Sequence, residues 1–212
     1  MNRNLRTLAA AAALVLVLSA GAAVVYAYLQ HQTEQSNPFR IGTDTVAIQE
    51  TFTPPPQMGM QNSVEKTVTV ENTGTGDQYV RVFLDFSDSS ARDRSQIVYT
   101  RGGEVQVTDW DTFRSAPPEG WVYVSEETDA VLGGYFYYTG ILAPNAVTPP
   151  LIEEIRTSFG TDSNPDRITD FEVIVYSESV QTVETGTGEV YDTEIETVPA
   201  WKRAWTSFLN PS

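Results

Sequence analysis

The stretch Val64–Ser87, VEKTVTVENTGTGDQYVRVFLDFS, limits the fold more than any other part of the chain. Val64, Lys66, Val68 and Val70 alternate with Glu65, Thr67, Thr69 and Glu71. Further on, Val80, Val82, Leu84 and Phe86 alternate with Arg81, Phe83 and Asp85. A period of two with β-branched and aromatic residues marks strands with one buried face. Asn72-Thr73-Gly74-Thr75-Gly76-Asp77 separates the runs with turn chemistry, since Gly and Asn accept positive φ and Asn and Asp bond nearby backbone. The pattern predicts a hairpin or a sharp crossover between two sheets. Two strands are not stable alone in water, so other segments must cover their apolar face.

The remaining segments read as short strands between turns. Ile41, Val46 and Ile48 place a first strand in Arg40–Thr51. Phe52–Met60, with Pro54-Pro55-Pro56, reads as a stiff exposed connection. Asp88–Arg94 reads as a charged turn, and Arg101-Gly102-Gly103 joins Gln96–Thr100 to Glu104–Thr108 as a hairpin. Trp121–Val124 and Tyr135–Tyr138 read as strands, and Leu151–Phe159 as a strand or a short helical turn. Ile168–Gln181 reads as a long strand covered partly on both faces. Trp201, Ala204, Trp205 and Phe208 form a stripe at helix spacing, with Pro199 at its first turn. This predicts a C-terminal helix on the sandwich edge; a partner-binding helix is the alternative. Many short strands and almost no helical period predict an all-β antiparallel sandwich.

The ends of the chain differ from this core. Asn2–Arg6 is basic, Leu8–Val25 is apolar, and Val25-Tyr26-Ala27 is small-x-small. Residues 1–27 therefore read as a signal peptide cleaved between Ala27 and Tyr28, with an uncleaved anchor as the alternative. Residues 28–39 form a polar arm, 40–182 the sandwich, and 183–212 an acidic linker with the C-terminal helix. Contact with a membrane is expected only through the signal peptide before cleavage. The formal charge is −15, and without residues 1–27, which hold Arg3 and Arg6 and no acid, it is −17. So acidic a surface argues against nucleic-acid binding. The chain has no Cys, which removes disulfide and thiolate chemistry.

No arrangement of reactive residues stands out. His31 is the single histidine and lies in the polar arm, so neither a zinc site nor a His-based triad is apparent. Ser63-Val64-Glu65-Lys66 matches S-x-x-K, but it opens a strand and lacks the companion motifs. Asp162–Asp166 resembles the start of a Ca²⁺ loop, with Arg167 where Gly and Val173 where Glu are needed. Glu153-Glu154 and the Asp109/Asp111 pair read as solvated loops. Lys66 reads as a side chain snorkelling at the sheet edge, with an isopeptide bond to a core Asn or Asp as the alternative. No catalytic residue, metal ligand or cofactor is expected.

Several segments in order carry a resemblance. They are Tyr26–Leu29 with Asn37–Gly42 (NPFRIG), Lys66–Gly74 followed by Tyr79-Val80-Arg81-Val82, Gly120–Tyr123, Tyr137–Leu151, and Ser177–Gln181. Over roughly residues 20–182 the chain resembles the TasA/camelysin family of exported Gram-positive proteins, with Asn145 in place of a usual Gly. The proline triplet and the tail from Thr182 depart from the family pattern. The resemblance implies a jelly-roll-like β-sandwich, processed by a dedicated signal peptidase and secreted to the extracellular matrix or cell surface. It implies self-association into biofilm fibres, with a minor anchoring or assembly subunit as a second partner. The arm Tyr28–Phe39, including Tyr28, Leu29 and Phe39, would be the strand donated to the next subunit. Two alternatives remain. One is a monomeric adhesin or carbohydrate-binding module using Trp110, Trp121 and Tyr135–Tyr138, residues whose other reading is core packing. The other is a camelysin-like peptidase, for which no catalytic constellation is found.

Overall fold

A computed structural model describes residues 45–53, 61–158, 171–183, 188–192, 194 and 197–210. Ala27, Tyr28, Leu29, His31, Phe39, the proline triplet and Asp162–Asp166 lie outside the described residues, as do the boundaries placed after residues 27 and 39. All the described elements belong to one unit, Ile41–Ser212.

The two runs of the central stretch become β2 (Gln61–Asn72) and β3 (Gln78–Phe86), and they lie in different sheets. The turn between them is thus the crossover of the two alternatives. Buried Asn72 builds it: its amide donates to the Gly76 carbonyl at 2.8 Å and the Leu142 carbonyl at 2.7 Å, and its Oδ1 accepts from the Gly74 N–H at 2.9 Å. A side chain that satisfies three backbone groups fixes a loop that has no ladder of its own.

β2 joins β1 (Val46–Thr53), β8 (Ile152–Ser158), β4 (Ser95–Arg101) and β5 (Glu104–Thr108) in a sheet of order β1-β2-β8-β4-β5. β3 joins β6 (Trp121–Val124), β7 (Tyr135–Tyr138) and β9 (Val173–Gln181) in the order β6-β7-β3-β9. Every pairing is antiparallel. The chain is therefore an all-β antiparallel sandwich with a short C-terminal helix. Val68, Val70, Ile97, Tyr99, Ile152 and Ile155 face Val80, Val82, Leu84, Phe86 and Phe136 across the core.

The segment after β7 ties the sheets to the crossover. Leu142 and Gln78 exchange backbone hydrogen bonds at 2.8 and 3.1 Å, Thr148 N–H donates to Val70 O, and Leu151 N–H donates to Val68 O. Asn145 occupies the turn with φ 62°, a conformation Asn tolerates better than most residues.

The structure corrects several local expectations. β1 runs on to Thr53, into the stretch read as a stiff connection. Asp88–Arg94 is not a turn but the capped helix α1 (Ser89–Asp93), whose Asp88 carboxylate accepts from the Ala91 N–H at 2.8 Å. A second helix, α2 (Trp110–Ser115), follows β5, capped by Asp109, and buries Trp110 and Phe113. Both are too short for apolar periodicity to reveal, and their caps are the legible signal. Leu151–Phe159 resolves as the strand β8. The C-terminal helix α3 (Ala200–Leu209) has Pro199 at its N-cap rather than inside its first turn.

Candidate functional site

Arg81 is on the face of β3 that period two assigns to solvent, yet it is 5% exposed. α3 lies across the outer face of the four-stranded sheet, not along its edge, and covers it. The guanidinium sits 3.9 Å from the Tyr135 ring centre and 4.4 Å from that of Trp205. Its Nε donates to Glu178 at 2.7 Å and its Nη1 to the Tyr137 hydroxyl at 3.2 Å. Burial pushes the guanidinium pKa down, but the Tyr137 and Glu178 partners more than offset this and it stays above its ordinary value. Burial pushes the Tyr137 hydroxyl up, and that hydroxyl donates to the Leu132 carbonyl at 2.7 Å.

A second apolar cluster surrounds this arginine: Tyr79, Leu132, Tyr137, Val180, Tyr191, Trp201, Ala204 and Trp205. Tyr191 belongs to the segment read as an acidic linker, but its ring is buried, and Tyr79 donates to its carbonyl at 2.8 Å. Tyr191 therefore packs as part of the domain. Its N–H also donates to Thr182 O.

On the same outer face, Tyr135, Phe83 and Tyr176 form a row across β7, β3 and β9. Phe83 and Tyr176 stack at 4.7 Å with 14° between their planes, and the Tyr135 and Tyr176 hydroxyls are 3.1 Å apart. Tyr135 meets both rings edge-to-face and has the Arg81 guanidinium against its ring, whereas a sugar ring stacks on an exposed aromatic face. The residues expected to serve a glycan are mainly core: Trp110, Trp121, Phe136 and Tyr137 are buried, while Tyr135 and Tyr138 are half-buried.

A cleft of about 580 Å³ lies beside α2, lined by Arg101, Arg114, Pro118, Glu119 and Tyr123 among others. Arg114 is engaged internally, donating to Asp111 and, at 3.4 Å, to the Tyr123 hydroxyl. Glu154 is not in a loop: it lies on β8, where Arg156 and the Ser63 hydroxyl hold its carboxyl below the usual range. Asp109 caps α2 rather than pairing with Asp111. Lys66 donates to Glu50 at 3.1 Å. Among the described residues, no three acidic or histidine side chains converge as metal ligands, and no described helix is long and apolar enough to cross a membrane.

The sheet edges are the remaining candidates. β1 and β5 end one sheet, and β6 and β9 end the other. β1 and β9 lie side by side on one flank, and β6 has only four residues, preceded by Pro117-Pro118. β5 is regular along its register with β4, contains no Pro or Lys, and presents Val105 at 64% and Val107 at 40% exposure. Natural edges are usually blunted by prolines, inward charges or bulges, and β5 has none. The sequence hairpin signal located β5 but did not mark it as an edge.

No protein-family model matches the chain, and the comparison with curated proteins found no match.

Proposed function

We propose that this chain is a secreted, non-enzymatic structural subunit of the TasA/camelysin type, which assembles into extracellular fibres after cleavage between Ala27 and Tyr28. The arm Tyr28–Phe39 is the strand that one subunit donates to the next. The observation that carries the reading is a two-sheet sandwich whose edge strands are unpaired among the described residues. Such an edge offers main-chain donors and acceptors to an added strand, and a head-to-tail contact that does not close generates filaments. The charge of −17 after cleavage keeps the free subunit soluble, and the family resemblance supplies the direction of assembly.

Electron microscopy of residues 28–212 beside residues 40–212, across pH and concentration, tests it. Filaments from the longer form alone are the expected result. Monodisperse particles from both would overturn donor-strand assembly and return the monomeric adhesin reading. Filaments from both would show that assembly does not use the arm.

A further inference from the structure

We infer that β5 is a self-complementary edge that pairs antiparallel with β5 of a second copy of this chain, about a two-fold axis through Gln106. The contact is separate from the arm and links copies side by side.

The argument starts at the hairpin turn. Gly102 and Gly103 have φ 61° and 79°, the two positive values of a type I′ turn. The flanking pair Arg101↔Glu104 closes it as a hydrogen-bonded pair, after which pair types alternate. Tyr99↔Gln106 and Ile97↔Thr108 are then hydrogen-bonded, while Thr100↔Val105 and Val98↔Val107 are not. Val105 and Val107 thus direct their N–H and C=O groups away from β4, toward the open edge.

An axis through Gln106 places Val105 of one copy opposite Val107 of the other, twice over. Each such pair exchanges two backbone hydrogen bonds. All four valines fall on the same outer face, where Val105 and Val107 are exposed in the single copy. On the same face, the β4 partner of Val107, Val98, is buried at 4% exposure.

The charges fit a second copy as well. Glu104, the only charged residue of β5, meets Thr108 in this register, so no like charges oppose one another. That matters for a chain of net charge −15, which otherwise repels its own copies. A shift of the axis to Val105 or Val107 would bring Gly103 or Asp109 opposite a valine and lose the four-valine patch.

A cysteine-free chain makes the test clean. The two Gln106 residues form a non-hydrogen-bonded pair, whose Cα separation of about 4.5 Å is close enough for a disulfide. Gln106→Cys in residues 28–212 is oxidised at low micromolar concentration beside Thr128→Cys, an exposed turn control. We expect the dimer to form about tenfold or more faster for Gln106→Cys, because pairing raises the effective thiol concentration. Adding Val107→Pro removes an outward N–H without touching the β4 ladder, and adding Val105→Lys places charge in the patch. Each should return the rate to that of the control, with circular dichroism confirming the fold. Equal rates for the two cysteines would overturn the proposal, as would crosslinking that survives both added substitutions. Repeating the assay in residues 40–212 separates the two readings: a fast crosslink there with no filaments would support β5 pairing while donor-strand assembly fails.

Discussion

The guanidinium of Arg81 lies 3.9 Å from the ring centre of Tyr135, on a sheet face whose sequence pattern points to water. The other side of the guanidinium meets Trp205 of α3, so one cation joins the sheet to the helix. Arg81→Met should cost about 2 kcal/mol, mostly from the stacked rings, because the Glu178 partner is 44% exposed and its ion pair adds little. Arg81→Lys should recover less than half of this, since an ammonium lacks the planar fork. Urea unfolding measures the loss, and a red shift of Trp201 and Trp205 emission would report that α3 has lifted.

Trp205 is fully buried, and its indole N–H finds no acceptor among the described residues. Trp205→Ala should cost about 3–5 kcal/mol through the cavity it leaves. Trp205→Phe should cost far less, because it also removes an unsatisfied buried donor. Thermal unfolding of the two variants side by side separates these effects.

Gly133 packs against backbone. A Cβ there would lie 2.4 Å from the Glu126 Cα, so Gly133→Ala should cost about 3 kcal/mol in chemical denaturation. Asn145, by contrast, has open choices governed by φ 62°. Asn145→Gly should be within about 0.5 kcal/mol of the parent and Asn145→Val about 1–2 kcal/mol below it.

Acid should loosen α3. The Asp129 carboxylate is held below the ordinary aspartate value, chiefly by Lys202 of α3 and then by the Leu132 N–H. A folded pKa below the unfolded one adds stability above the unfolded value near 3.8 and loses it as pH falls through the folded value. Asp129→Asn should therefore lower stability at neutral pH and flatten the slope below pH about 4. Urea midpoints across that range, followed by tryptophan emission, check the sign.

The strands around single turns were legible because their signals are local. Trp121–Val124, Tyr135–Tyr138 and Glu104–Thr108 match the structure residue for residue, whereas β4 extends one residue beyond each end of Gln96–Thr100 and takes Arg101 out of the turn. The extent of α3 follows from one apolar stripe over ten residues. α1 and α2 escaped because five or six residues hold too few turns for a helical period.

Alternation along Val64–Phe86 determined that this chain builds strands with a buried face, and thereby an all-β sandwich. It did so because the pleat sends neighbouring side chains to opposite sides whatever the rest of the chain does. Tertiary structure alone decided that the face carrying Arg81 is also covered, that Asn72 marks a crossover and not a hairpin, and that β5 is an open edge among the described residues. Those outcomes depend on which distant segment arrives: α3 from more than a hundred residues away over Arg81, and Leu142 onto Asn72. A strand's own residues record its period, whereas the identity of its neighbour is set by contacts between segments.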